Sequence, residues 1–237
     1  MQADLSIGEV PEVEYPDASY RLLNMDLAGG VLMDLGPYNL LWFYQCIYHS
    51  RPEIGRNDPE VVGAVMKKYF TGTDVTTSML LRFPSSTPEG SWGAHGIGTS
   101  SMRARSDFAK EGSDATPCVR IFGQDGEIQI FGTSYRPTRI RTLFRDASKQ
   151  STDKSYRFPG GTHGMSWEAD EAARCWLAGK MQSEIMSWEE SLSIMRTLDR
   201  IRDICDFKFP DVIETTDYPV QMGKRDSARH VQTRNRE

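Results

Sequence analysis

The middle of the chain consists of short segments in which apolar and polar residues alternate. Residues 61–70 alternate in this way, Thr71-Gly72-Thr73-Asp74 supplies turn residues, and residues 75–83 alternate again. Because successive side chains of a strand point to opposite faces of a sheet, this pattern predicts antiparallel strands with one apolar face. The same pattern predicts further strands at residues 1–8, about 93–107, 119–122, 128–131, 140–144 and 156–158.

A hairpin is predicted where two of these segments are joined by Gln124-Asp125-Gly126. Asp and Gly tolerate positive φ angles, which the central residues of a type I′ turn require. The sequence therefore predicts a type I′ turn between the strands at 119–122 and 128–131.

Three segments have the spacing of helices. The first follows Gly29-Gly30, is apolar all round and ends near His49, which predicts a helix buried on more than one side. The second runs from Ser166, the predicted N-cap, to Gly179, the predicted stop. The third opens with the capping box Ser187-Trp188-Glu189-Glu190.

The apolar stripes of the second and third helices are predicted to face the core. These stripes are Trp167, Ala169, Ala172, Ala173, Trp176 and Leu177, and Trp188, Leu192, Met195, Leu198, Ile201 and Cys205. A helix, at least five hairpin-connected strands and two more helices predict an α+β fold, an open, mainly antiparallel β-sheet with helices packed on one face. Residues 1–210 are predicted to form this domain, and the polar residues 211–237 are expected to be a disordered tail.

Composition excludes several classes of partner. A net charge of −5 and a pI of about 5.5 argue against nucleic acid. No window approaches the ~18–20 apolar residues of a membrane span, and no basic, apolar leader is visible. The four cysteines are widely separated with no CxxC pair, which is typical of reduced thiols in a cytoplasmic protein.

The candidate chemistry is concentrated around the first helix. Asp34 and Tyr38 are four residues apart, so on a helix they lie on one face and can hold a carbonyl or hydroxyl group. His163 is a candidate for proton transfer and Arg136 for binding a substrate oxygen. Structural roles, such as a capping histidine or a rim ion pair, are open alternatives for both.

Three aromatic residues are candidate walls of an apolar substrate pocket: Phe131, Tyr135 and Trp167. The other histidines, His49, His95 and His230, are not grouped with cysteines or carboxylates at ligand spacing, so no metal site is expected. The absence of GxSxG and P-loop motifs removes the simplest hydrolase and phosphotransferase interpretations.

Five stretches together resemble the C-terminal catalytic domain of the Gfo/Idh/MocA oxidoreductases, in the branch of dihydrodiol and D-xylose dehydrogenases. They are Ala3–Gly8, Gly29–Tyr38, Gly126–Gly132, Arg136–Thr138 and Gly164–Arg174. The resemblance covers roughly residues 1–210 and implies the same sheet, with its open face pairing two subunits in a homodimer. It also implies a sugar or cyclic-diol substrate, with Tyr38 as proton donor and acceptor and Asp34 as its support.

Members of this family bind NAD(P) in an N-terminal doubly wound domain, whose glycine-rich turn cradles the pyrophosphate. This sequence begins two residues before the first strand of the second domain. Gly93-Ala94-His95-Gly96-Ile97-Gly98 has the wrong spacing, and Gly160-Gly161-Thr162-His163-Gly164 does not follow a βα crossover. The chain alone is therefore expected to bind no cofactor, and NAD(P) enters only with a nucleotide-binding domain that is supplied in trans or missing from this sequence.

The family's active-site lysine belongs to that same N-terminal domain. Without it, Tyr38 is expected to act as a hydrogen-bond donor at neutral pH rather than as a base. Three functions remain open at this point. The chain is the substrate-binding half of an NAD(P)-dependent dehydrogenase, or a cofactor-free isomerase, dehydratase or cyclase using the same cavity, or a non-catalytic dimerising or ligand-binding module.

Overall fold

An eight-stranded sheet runs through the residues that the computed structural model describes, which are 1–17, 20–52, 56–84, 93–106, 116–161 and 163–218. Its strands are β1 (Gln2–Ser6), β2 (Glu60–Lys68), β3 (Asp74–Phe83), β4 (Ala94–Ser101), β5 (Val119–Phe122), β6 (Gly126–Thr133), β7 (Arg136–Phe144) and β8 (Thr152–Ser155). Their order is β2-β3-β4-β1-β5-β6-β7-β8. β1 and β4 run parallel and the other neighbouring pairs run antiparallel, so the mainly antiparallel sheet is confirmed.

Strand β3 follows the predicted alternation closely. Its buried apolar side chains point towards the helices, and the residues between them face the opposite side of the sheet. The buried set is Val75, Met79, Leu81 and Phe83. Neighbouring strand β4 has Gly96 and Gly98 where a Cβ would lie 3.0–3.2 Å from the side chains of Phe43 and Met79, so these glycines let a helix approach the sheet.

The hairpin of β5 and β6 is confirmed, but its predicted type I′ turn is wrong. None of Gln124, Asp125 and Gly126 has a positive φ angle. Gly126 instead begins strand β6, where a Cβ would lie 2.0 Å from the carbonyl oxygen of Leu143 on β7. The glycine is therefore required by close strand pairing and not by the turn.

The described residues form five α-helices: α1 (Pro11–Glu14), α2 (Val31–Phe43), α3 (Met165–Leu177), α4 (Trp188–Ile204) and α5 (Asp211–Glu214). The predicted first helix is α2, which continues as a π-helical turn over Tyr44–Tyr48. It lies between two apolar clusters, as its all-round apolar sequence predicted. Leu32, Leu40 and Phe43 belong to one cluster, and Val31 and Leu35 belong to the other.

Helix α4 confirms the capping box but only half of its predicted stripe. Ser187 Oγ accepts the Glu190 amide N–H at 3.2 Å, and the Glu190 carboxylate accepts the Ser187 N–H at 2.9 Å. Leu198 and Ile201 are fully buried. Trp188, Leu192 and Met195 are exposed, which contradicts the prediction, because the helix rests on the sheet and on α2 with the side that carries Ile194 instead.

Helix α3 contradicts two predictions. None of its residues is buried, so its apolar stripe does not face the core. Its N-cap is Gly164, with a φ of 91°, and not Ser166, because the helix already begins at Met165. A Cβ at Gly164 would lie 2.7 Å from the Phe158 ring, so only glycine fits there. The predicted stop at Gly179 agrees with its φ of 67°.

The segment after residue 210 is partly helical. α5 follows Pro210, and Glu214 accepts hydrogen bonds from Arg202 of α4 and from the Phe209 amide. The disordered tail was predicted at residues 211–237, and helix α5 contradicts this prediction at its start, while residues 219–237 lie outside the described residues. Within the described part of the chain, no helix is both long and apolar enough to cross a membrane.

Candidate functional site

The N-terminus of α2 is held by a carboxylate from a strand. Asp74, at the start of β3, accepts the Leu32 amide N–H at 2.9 Å and the Thr77 hydroxyl at 2.7 Å. A Cβ at Gly30 would lie 2.0 Å from Asp74 Oδ1, so the second glycine of the motif makes room for this carboxylate. Burial raises the pKa of Asp74, and the hydrogen bonds from Thr77 and Leu32 oppose that rise.

Two further hydrogen bonds fix the middle and the end of α2. Asn39 Nδ2 donates to the carbonyl oxygen of Thr99 on β4 at 2.9 Å. Trp42 Nε1 donates to the carbonyl oxygen of Ser134 at 2.8 Å, in the turn between β6 and β7. Since Trp42 lies four residues after Tyr38, the same face of α2 brings Tyr38 to this turn.

A cavity of about 410 Å³ opens beside Tyr38, between the end of α2, strand β7 and the segment that leads into α3. Five of its lining residues are large aromatics, namely Tyr38, Tyr135, Tyr156, Phe158 and Trp167. The charged or ionisable side chains that line it are Arg139, Arg157, His163 and Glu168. A concave, mainly apolar surface with few polar groups is typical of a small-molecule site.

Four of the five aromatic rings in the wall form two pairs. The rings of Tyr38 and Tyr135 lie 5.7 Å apart, and those of Phe158 and Trp167 lie 5.0 Å apart. The Arg136 guanidinium lies 5.1 Å from the centre of the Phe158 ring, on which it can form a cation–π contact. Arg136 itself is not among the residues that line the cavity, so it acts on the wall rather than on the interior.

Asp34 has a partner that the sequence did not reveal. Arg21 donates two hydrogen bonds to its carboxylate, at 2.6 and 3.2 Å, in a bidentate ion pair. Asp34 is also absent from the cavity lining. The carboxylate on the Tyr38 face is therefore neutralised by a cation 13 residues upstream, which no spacing argument could have identified.

The remaining predicted residues divide into two groups. His163, Tyr135 and Trp167 line the cavity together with Tyr38. Phe131 does not, since it is 5% exposed and lies under the guanidinium groups of Arg139 and Arg141, 4.9 and 5.3 Å from its ring centre. Sequence reasoning missed Arg139, Arg157 and Glu168, and it interpreted Tyr156 and Phe158 as a strand although both line the wall.

Three glycines of the glycine-rich segments are packed against this chain's own side chains. Gly96 and Gly98 lie in β4, where a Cβ would lie 3.0–3.3 Å from the side chains of Phe43 or Met79. A Cβ at Gly164 would lie 2.7 Å from the Phe158 ring. These three glycines therefore do not offer the open space that a bound pyrophosphate needs. No group of three or more His, Cys, Asp or Glu side chains suited to a metal occurs in the described ranges.

Relatives with known activities cover most of this chain. It is 38% identical over 224 residues to the D-xylose 1-dehydrogenase (NADP(+)) of Hypocrea jecorina, a match that spans 91% of the chain and 54% of that protein. This similarity makes the chain a homologue of part of that dehydrogenase. It is also 26% identical over 196 residues to the trans-1,2-dihydrobenzene-1,2-diol dehydrogenase of Bos taurus, which spans 81% of the chain and 51% of that protein. No protein-family model matches it.

Solved structures of other proteins share the fold of this chain. The UDP-N-acetylglucosamine 3-dehydrogenase GnnA from Acidithiobacillus ferrooxidans aligns with a TM-score of 0.53 and 13% identity, over 86% of this chain and 52% of that one. An oxidoreductase from Bacillus cereus aligns with a TM-score of 0.50 and 12% identity, over 85% of this chain and 55% of that one. The chain thus spans about half the length of the curated relatives and of these solved structures.

Proposed function

We propose that this chain is the substrate-binding region of an NAD(P)-dependent dehydrogenase that acts on a sugar or a cyclic diol. The observation that carries the proposal is the position of Tyr38, whose ring forms the wall of an aromatic cavity together with Tyr135. The relatives named above, a D-xylose 1-dehydrogenase and a dihydrobenzene-diol dehydrogenase, support a ring-shaped hydroxylated substrate.

In this proposal the Tyr38 hydroxyl binds the substrate hydroxyl that is oxidised and exchanges its proton. Asp34 supports it indirectly: paired with Arg21, it holds the first turns of the Tyr38 face in place. Tyr135, Phe158 and Trp167 pack on the ring and exclude water. In this proposal the nicotinamide cofactor is held by a nucleotide-binding domain outside the described residues, which is supported by the packing of Gly96, Gly98 and Gly164 against this chain's own side chains.

The test is a titration of the purified chain with D-xylose and with a trans-cyclohexadiene diol, followed by tryptophan fluorescence, since Trp167 lies in the cavity wall. Tyr38→Phe keeps the ring and removes the hydroxyl, so it should weaken binding by about fivefold through the loss of one hydrogen bond. Tyr218→Phe, which removes a hydroxyl outside the cavity, is the matched control and should bind like the native chain.

A parallel titration with NADPH examines the cofactor half of the proposal. We expect no saturable binding to the chain alone. Micromolar binding of NADPH would overturn the assignment of the cofactor to another domain, and unchanged diol binding in Tyr38→Phe would remove Tyr38 from the substrate site.

A cofactor-free reaction is a second candidate because three groups able to move protons line the same cavity. These are Tyr38, His163 and Glu168. A general acid and a general base on one substrate are sufficient for isomerisation or dehydration without a hydride acceptor. Turnover of a cyclic polyol by the chain without any nucleotide, lost in His163→Gln, would favour this function over the dehydrogenase.

We also propose that the sheet face opposite the helices pairs two copies of the chain. Leu80 and Ile97 are cross-strand neighbours on β3 and β4, and both are exposed on that face. Phe122 on β5 is exposed as well. Sedimentation equilibrium should give a dimer that Leu80→Arg dissociates, and a monomer at all concentrations would contradict the pairing.

A further inference from the structure

Hydrogen-bond donors outnumber acceptors among the ionisable side chains of the cavity. Arg139, Arg157 and His163 line it, with the single carboxylate of Glu168 among the described lining residues. Arg139 is neutralised from outside the cavity by Asp153, at 2.6 and 2.5 Å. The donors that remain on the lining are therefore Arg157 and His163.

Arg157 and His163 have no hydrogen bond or ion pair with any residue in the described ranges. Both lie on the segment that leads from β8 into α3, and both line the cavity. A guanidinium offers five N–H donors and no acceptor, so an unpaired arginine at a cavity suits a ligand rich in acceptors.

The neighbouring Arg136 adds to this excess of donors. Its Nε atom is buried without a hydrogen-bond partner among the described residues. Its guanidinium rests on Phe158, whose ring is part of the cavity wall. A positive charge behind an aromatic wall raises the local potential and favours a negatively charged occupant.

Another part of the wall is aromatic and suits an uncharged ring. Tyr38 and Tyr135 form one ring pair there, at 5.7 Å. A ligand that satisfies both parts has a hydroxylated ring beside the two tyrosines and an acidic group beside Arg157 and His163.

We infer that the substrate is a cyclic polyol bearing an anionic group, a carboxylate or a phosphate, which Arg157 and His163 bind while the ring packs on Tyr38 and Tyr135. The inference rests on the proposed function, since it concerns the substrate of the same cavity. A uronic acid is the simplest compound of this class. Arg157 is then the residue that distinguishes acidic from neutral sugars.

The test compares sugars that share a ring and differ in one substituent. D-glucuronate and D-glucuronamide differ in one substituent, a charged carboxylate against a neutral amide of similar size, and D-glucose 6-phosphate carries a phosphate instead. Calorimetry on the full chain at low salt should show D-glucuronate binding about tenfold more tightly than D-glucuronamide, as a charge-assisted hydrogen bond predicts. Stronger binding of D-glucose 6-phosphate would identify the anion as phosphate and support the inference equally.

The variant Arg157→Gln should reduce the preference for the anion to less than about threefold and leave the affinity for D-glucuronamide within about twofold. Arg145→Gln is the matched control, because it removes the same charge from an exposed arginine that does not line the cavity. It should keep the full preference. An unchanged preference in Arg157→Gln would overturn the role of Arg157.

Failure of this inference and failure of the proposed function give different results. Equal binding of D-glucuronate and D-glucuronamide overturns the anionic substrate and leaves the proposed function intact. If no sugar or diol binds at all, charged or neutral, both the proposed function and the inference are overturned.

Discussion

Helices α4 and α3 make an instructive pair, because both carry apolar residues at helical spacing. α4 lies against β2 and α2 and buries Ile194, Leu198 and Ile201. α3 buries no residue, and its Trp176 and Leu177 are 79% and 77% exposed. The spacing of apolar residues therefore identifies the apolar face of a helix, but it does not show whether that face is buried within the same chain.

The difference follows from how each helix is connected to the sheet. α4 and α2 form a two-helix layer, in which Leu198 of α4 lies beside Gly36 of α2. α3 follows the segment that leads from β8 along the cavity. The C-terminal end of α3 is stabilised by a local backbone hydrogen bond, in which the Lys180 amide donates to the Cys175 carbonyl at 2.8 Å. The following four predictions compare the layer of α2 and α4 with α3.

The largest expected effect comes from truncating one leucine on each helix. Leu198→Ala removes a fully buried side chain and should lower the free energy of unfolding by about 2–5 kcal/mol. Leu177→Ala, on exposed α3, should change it by less than about 0.5 kcal/mol. Urea denaturation measures both, and equal losses would show that α3 is packed as well as α4.

Removing the carboxylate that holds α2 comes next. Asp74→Ala leaves the Leu32 N–H and the Thr77 hydroxyl without their acceptor and should cost about 1–3 kcal/mol. Asp146→Ala is the control, since that carboxylate accepts bonds only within an exposed turn around Ser148. If urea denaturation shows the same small loss in the free energy of unfolding for both variants, Asp74 does not anchor α2.

A pH effect of about 2 kcal/mol is expected from the contact between α2's π-helical turn and α4. The Tyr44 hydroxyl is hydrogen-bonded to Ser193, and burial raises the pKa of Tyr44 to about 12. Since the folded pKa lies above the unfolded value near 10, this contribution is complete below pH 10 and is lost as the pH rises to about 12. The free energy of unfolding, measured by urea denaturation between pH 8 and 12, should therefore fall less steeply with pH in Tyr44→Phe than in the native chain. Tyr218→Phe should follow the native chain.

The smallest expected effect comes from substituting the serines near the N-termini of α4 and α3. Ser187→Ala removes the N-cap of α4 and should lower the free energy of unfolding by about 1 kcal/mol. Ser166→Ala should be nearly neutral, because the N-cap of α3 is Gly164 and Ser166 lies inside its first turn. Thermal unfolding measures both changes. An equal loss of stability in Ser166→Ala and Ser187→Ala would support the original prediction that Ser166 is the N-cap of α3.

Much of the fold was predictable because strands, turns and caps are encoded locally. The alternation of β3, the buried helix α2 and the capping box at Ser187 all agree with the sequence patterns. The site was predictable in part. Tyr38 and His163 were predicted site residues and both line one cavity, whereas Phe131 lies under two arginines away from it.

Residue spacing within single segments was sufficient to predict the α+β architecture and the helix that carries Asp34 and Tyr38. Tertiary structure decided the pairing of Asp34 with Arg21, the hold of Asp74 on α2, and the exposure of α3. It also decided that β1 lies between β4 and β5. These features join residues that are distant in the chain, and periodicity carries no information about which distant residue a side chain will meet.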